Sequence, residues 1–242
     1  MNFFKAIKER IRRYDDTHNF TCDVCGREVF ANERVCEKCV KALPWNDKIV
    51  CPLCGRKGKE SGVCLACKER PLAVERARSA FLHEGEAARL VVRFKRGQKY
   101  LYRTLAELAL PLLQKEFPDA EALTFVPMTK RAERKRGFNQ ARLFSEELSR
   151  LCGIPTLATA EKRRETKMQK LLGREERESN LAGSFCVTDA DMVRGKTLVI
   201  VDDTLTTGAT VGELATVLKK AGAAKVYAFT FTSVENKPRS AK

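Results

Sequence analysis

From residue 71 onward the hydrophobic pattern switches repeatedly between two periods. "ERARSAFLH" (75–83) reads as an early strand. Short apolar runs at 122–128 ("ALTFVPM"), 154–159 ("IPTLAT"), 196–203 ("KTLVIVDD") and 225–234 ("KVYAFTFTSV") read as buried strands. "GSFCVTD" (183–189) has an extended pattern too. Between them lie segments of helical period: 86–97, 100–117, 137–153 and 209–222. Several stop at glycine, among them Gly97, Gly153 and Gly222. Such alternation predicts an α/β domain over 71–242, a mostly parallel sheet with helices on both faces. Ligands on such sheets gather at the carboxyl ends of the strands. The stretch 161–180 is polar, charged and hard to bury.

Residues 21–70 follow a different rule. Eight of the ten cysteines fall in four C-x-x-C pairs: Cys22/Cys25, Cys36/Cys39, Cys51/Cys54 and Cys64/Cys67. Two intervening residues let a tight knuckle aim both sulfurs at one metal, and four thiolates make the tetrahedral shell that structural zinc prefers. Gly26 and Gly55 follow two of the knuckles. Short loops favour sequential use, Cys22, Cys25, Cys36 and Cys39 in one site and Cys51, Cys54, Cys64 and Cys67 in the other. A cross-braced pairing is the alternative. The expectation is a small Cys-rich double zinc ribbon with two structural Zn2+ ions, folded by its metal. Trp45, with basic residues around it, leaves a nucleic-acid or protein contact open. Cys152 and Cys186 stand alone and are expected as small buried groups.

Charge and the first twenty residues complete the outline. Lys and Arg number 46 against 31 Asp and Glu, a formal net charge of +15. That excess suits polyanion partners: nucleic acid, phosphorylated metabolites or an acidic membrane surface. Phe3, Phe4, Ile7, Ile11 and Tyr14 recur at helical spacing among Lys5, Lys8, Arg10, Arg12 and Arg13. Residues 1–20 therefore read as an amphipathic helix packing on its own protein, the alternatives being a membrane surface or a partner. Charges break up any apolar leader, and no run is long enough to span a membrane, so a cytoplasmic location is expected.

The chemistry concentrates in "LVIVDDTLTTGAT" (198–210). A strand is expected to end at 202, with a loop over 204–210 leading into a helix. Small residues let backbone amides approach a phosphate, and the helix N-terminus favours it. Asp202 and Asp203 would repel that phosphate unless they serve another group. Ribose hydroxyls and a divalent cation fit, because carboxylates accept hydrogen bonds from hydroxyls and ligate Mg2+. The segment is neither a P-loop nor a dinucleotide loop, since both glycine patterns are missing.

Apolar run–Asp–Asp–x–x–Thr–Thr–Gly–x–Thr resembles the PRPP-binding motif of type I phosphoribosyltransferases. "VPMTKRAERKRGFNQA" (126–141), "TKMQKLLGREERESNLAGSF" (166–185) and the double zinc ribbon together resemble the ComF/ComFC family. The resemblance runs from about residue 20 to the end. It implies the type I phosphoribosyltransferase fold and a role in competence, the uptake of transforming DNA, with other competence or DNA-uptake proteins as partners. It further implies that PRPP, or a related ribose phosphate, binds with Mg2+ at Asp202, Asp203, Thr204, Thr206, Thr207, Gly208, Ala209 and Thr210. Asp202 and Asp203 would be the catalytic residues, stabilising positive charge on the sugar. Met128, Thr129, Lys130 and Arg131 correspond to the pyrophosphate loop, and 161–180 to a mobile loop whose Lys162, Arg163, Arg164 and Lys167 face the leaving group.

Three functions stay open at this point: a PRPP-binding protein of DNA uptake that handles nucleotides or single-stranded DNA, an active transferase on an unknown base or amine, and a PRPP-sensing regulator. The basic run Arg134, Lys135 and Arg136 with Phe138 could grip a phosphate backbone and stack a base.

Overall fold

The computed structural model describes residues 21–30, 33–58, 60–163 and 183–235. The expected helix at 1–20 and most of the charged 161–180 stretch, including Arg164 and Lys167, lie outside them. Five strands form one parallel sheet in the order β1-β7-β6-β2-β3. They are β1 (Ala77–Leu82), β2 (Ala122–Phe125), β3 (Thr156–Leu157), β6 (Thr197–Leu205) and β7 (Lys225–Ser233). β4 (Ala160–Lys162) and β5 (Phe185–Val187) make a separate antiparallel pair.

Period-two alternation splits β6 between two cores. Val199 and Val201 pack with Phe229 and Phe231 beneath three helices: α3 (Gly85–Lys95), α4 (Leu101–Glu116) and α6 (Gln140–Cys152). Leu198 and Ile200 face the other way, against Leu214 and Leu218 of α7 (Ala209–Lys220). Burial on both faces explains why the strand is a continuous apolar run rather than an alternating one.

The cysteine module, with its short helices α1 (Glu37–Ala42) and α2 (Leu65–Glu69), docks on the outer edge of this sheet. Trp45 bridges Phe81 in antiparallel register. The Asn46 amide donates to the Ala80 carbonyl at 2.9 Å, and the Leu82 amide donates to Pro44 at 2.8 Å. This short pairing covers the edge that β1 would otherwise present to solvent. The Trp45 ring lies 4.4 Å from that of Phe81, and its Nε1 donates to the Val40 carbonyl. Trp45 is therefore a docking residue, which accounts for it without nucleic acid.

The two knuckle glycines differ in what surrounds them. Both have positive φ, 71° at Gly26 and 65° at Gly55. A Cβ on Gly26 would meet nothing within 4 Å, whereas on Gly55 it would stand 2.3 Å from the Ala77 carbonyl oxygen. Gly26→Ala is expected to cost about 1 kcal/mol, from backbone strain. Gly55→Ala adds an overpacking term of about 1–3 kcal/mol, because β1 cannot yield. Urea unfolding of the two variants measures the difference; equal costs would mean that the knuckle does not press on β1.

Candidate functional site

The β6–β7 ladder does not stop at Asp202 as expected. Thr204 pairs with Thr232 and Leu205 with Ser233, so the strand runs through both aspartates and the loop shrinks to 206–208. Adjacent residues of a strand point to opposite faces. Asp203 turns inward and is buried, while Asp202 is half-buried. Both line a cleft of about 500 Å³ at the carboxyl end of the sheet, within the range of small-molecule sites.

Asp203 is held from several sides. Lys95, at the end of α3, forms an ion pair with its Oδ2. Gln140 donates from Nε2 to Oδ1 at 3.3 Å, and the Thr204 hydroxyl donates to Oδ2 at 3.0 Å. Burial raises the Asp203 carboxyl, but the Lys95 ammonium and these bonds outweigh it and hold the group below its ordinary value. The Lys95 charge also favours ionisation of Asp202, but there it is outweighed. Desolvation, then the negative charge of Asp203, push its carboxyl well above the usual range, even though its side chain accepts the Asp203 amide at 2.8 Å. The two adjacent acids are thus shifted in opposite directions.

The segment Arg136–Gly137–Phe138–Asn139–Gln140 makes the brace behind Asp203. The basic run does not lead directly into the next helix: it forms its own helix, α5 (Lys130–Arg136), closed by Gly137 at φ 85°. Asn139 then caps α6 by accepting from the Ala141 and Arg142 amides, while its Nδ2 donates to the Val126 carbonyl. Arg136 donates to Gln140 Oε1 at 2.5 Å, which aims the Gln140 amide group at Asp203. Phe138 is buried against Phe94, their centroids 5.4 Å apart. A buried Phe138 cannot stack a base, and the Arg136 guanidinium is committed within the fold. Of the four residues expected for DNA, only Arg134 and Lys135 are exposed.

Of the motif residues, Thr204, Thr206, Gly208 and Thr210 also line the cleft. Thr207 turns its hydroxyl to the Ala209 amide at 3.3 Å. Thr204 belongs to β6, and its hydroxyl faces Asp203 and Thr232 rather than a free anion site. Gly208, at φ 85°, begins α7, whose first turn carries no acidic residue. The cleft is also lined by Val126, Pro127, Met128 and Thr129, with Val91, Val92 and Lys95 from α3. Thr129 caps α5, so Lys130 and Arg131 open that helix instead of extending the loop. Lys162 of β4 reaches the cleft wall. Arg163 instead donates to Cys186 Sγ at 2.8 Å, so Cys186 is a half-buried acceptor rather than an apolar group. Cys152 is half-buried against the α6 side of the core.

The cysteines gather sequentially. Sγ atoms of Cys22, Cys25, Cys36 and Cys39 all lie within 4.8 Å of one another, as do those of Cys51, Cys54, Cys64 and Cys67. Cys25–Cys36 and Cys54–Cys64 separations are 3.9 and 3.7 Å. Zn–S bonds of about 2.3 Å place tetrahedral sulfurs about 3.8 Å apart, whereas a disulfide needs about 2.05 Å. The Cys36 amide donates to Cys22 Sγ and the Cys64 amide to Cys51 Sγ, each at 3.4 Å. Burial opposes ionisation of these two thiols, but the surrounding amides outweigh it and bring each to about 7. Both donor sets fit Zn2+.

Lys95 was invisible as a site residue, since it closes an ordinary amphipathic helix. Its one signal is a cation four residues after Val91, on the edge of the buried stripe. His83, at the end of β1, also lines the cleft, bonded through Nδ1 to the Thr232 hydroxyl at 2.9 Å.

Comparison with known proteins agrees with this architecture. Residues 19–68 match the double zinc ribbon domain, and 135–241 the phosphoribosyl transferase domain. The chain is 30% identical over 227 residues to competence protein ComFC of Bacillus subtilis, covering 87% of this chain and 90% of that one. Competence protein F of Haemophilus influenzae is 30% identical over 223 residues, 86% of this chain and 94% of the relative. DNA utilization protein YhgH of Escherichia coli K12 is 31% identical over 202 residues, 79% and 87% of the respective chains. No helix among the described residues is long and apolar enough to cross a membrane. With the ribbon, the transferase-like sheet and similarity along most of its length, the chain belongs to the ComF/ComFC family.

Proposed function

We propose that the cleft binds PRPP or a related ribose phosphate together with Mg2+, in the service of DNA uptake. The observation that carries this reading is the unequal pair at the end of β6. Lys95 pairs with Asp203, while Asp202, its carboxyl pushed well above the usual range, lines the same cleft beside a loop suited to phosphate. A bound cation would draw the Asp202 carboxyl back toward its ionised form, and a ribose diol can hydrogen-bond to it. The 5′-phosphate takes the backbone of 206–210 at the start of α7, with the Thr206 and Thr210 hydroxyls beside it. Met128 and Thr129 line the same cleft and would serve the pyrophosphate end of the ligand. Mg2+ would offset the charge of ligand and carboxylate together. The names of the relatives, competence and DNA utilization, support the biological setting.

Calorimetry with PRPP and Mg2+ tests the reading. Asp202→Asn removes the carboxylate that bound Mg2+ would hold in its ionised form, a charged contact worth about 1.5–3 kcal/mol, so affinity is expected to fall roughly 10- to 100-fold. Wild-type protein that binds neither PRPP nor ribose 5-phosphate would refute the proposal.

A further inference from the structure

The second zinc ribbon touches the phosphate loop directly. Arg56 follows the knuckle Cys51–Cys54 and is only 5% exposed. Its Nε donates to Cys54 Sγ at 3.3 Å, and its Nη1 donates to the Thr206 carbonyl at 3.1 Å. A second contact lies beside the first. Leu72, just beyond the ribbon, packs with the buried Cys51, Cys54 and Cys67. It also closes on Gly208, where an added Cβ would stand 2.6 Å from Leu72 Cδ2.

The first ribbon supplies an internal control. It carries the same C-x-x-C-G-R sequence, at 22–27, but Arg27 is exposed. Its contacts run to helices instead: Arg34 pairs with Glu107 at 3.0 Å, and Asp23 accepts from Thr104. One ribbon docks on α4, and the other reaches the site.

We propose that Arg56 is a positioning residue, coupling the metal state of the second ribbon to the conformation of the 206–210 loop. A zinc centre of four thiolates carries a net charge of about −2, and a buried guanidinium beside it is its natural counter-ion. The other end of that guanidinium pins the Thr206 carbonyl. Because the peptide is trans and planar, fixing this carbonyl also fixes the Thr207 N–H on the opposite side. Arginine suits the task because its donors sit at fixed positions on a rigid plane. The metal site, about 150 residues away in sequence, thereby pre-organises the phosphate loop. The proposal rests on the reading of 206–210 as a phosphate site.

The test uses the full-length zinc-loaded protein and three variants: Arg56→Met, Arg56→Lys and Arg27→Met. Zinc content, amide hydrogen exchange of 206–210 and calorimetry with ribose 5-phosphate are measured on each. Arg56→Met is expected to keep both zinc ions, to exchange its loop amides faster, and to bind ribose 5-phosphate about tenfold more weakly. Arg56→Lys keeps the charge beside Cys54 but lacks the second arm, so zinc is retained and the loop still loosens. Arg27→Met behaves as wild type. Wild-type exchange in a zinc-replete Arg56→Met protein overturns the coupling. Should Arg56→Met lose its metal, Arg56→Lys decides by the same criterion. If wild-type protein binds neither sugar phosphate, the functional reading falls, while the exchange comparison still judges Arg56.

Discussion

Stripping zinc from both tetrads is expected to unfold residues 21–70 and to free Trp45 from Phe81. The module has almost no core beyond its sulfurs: one cluster is Cys22, Val29 and Val35, and the other is Cys51, Cys54 and Cys67. Structural zinc supplies about 10–16 kcal/mol per site in comparable peptides, far more than these side chains can. Trp45 is the sole tryptophan and sits on the docking surface, so its fluorescence reports the event. Emission should shift to the red on chelation and return when Zn2+ is restored. The bared edge of β1 should also promote concentration-dependent association. Unchanged emission after verified metal loss would show that the module holds its place without metal.

The second large effect is expected at Lys95. Lys95→Met leaves Asp203 charged and buried without its ammonium. Breaking a buried pair from one side costs about 3–5 kcal/mol. The low end is expected, since the Lys95 side chain is 34% exposed and water screens the pair. Adding Asp203→Asn removes the stranded charge and should recover most of the loss, a coupling that a double-mutant cycle measures. The sign with pH follows. In the wild type, Asp203 lies below its ordinary value. Its contribution is therefore complete above the unfolded-state value and is lost as pH falls through the folded one. Without Lys95, burial raises the carboxyl, so the variant's penalty is greatest at neutral pH and shrinks on acidification. Denaturant melts across pH check this, and a Lys95→Met protein as stable as wild type at neutral pH would refute the pairing.

Much of this molecule lies in local patterns. Helix and strand periods from 75 to 234 locate the elements of the sheet, because burial of one face or both imposes its own spacing. The four C-x-x-C pairs predict two metal sites, and short loop closure selects the sequential pairing that the sulfurs adopt. The Asp–Asp–x–x–Thr–Thr–Gly–x–Thr segment marks the cleft. Strand and helix ends were less legible: pairing with Thr232 and Ser233 carries β6 three residues past its expected end.

What the sequence by itself determined, then, is the inventory: which segments are strands and helices, which sulfurs group for metal, and where the acids lie along the chain. Only the tertiary structure decided how those parts divide the work. Asp203 faces inward because strand alternation meets Lys95 and Gln140 there, the latter 63 residues away in sequence. Phe138 fills the core instead of awaiting a base, and Trp45 clamps the ribbon to β1. Of two knuckles that share the C-x-x-C-G-R pattern, the one with Arg56 meets the loop. The physical reason is common to all of these. Periodicity and ligand spacing act over a few residues, whereas a buried charge is settled by whichever distant group folding brings against it.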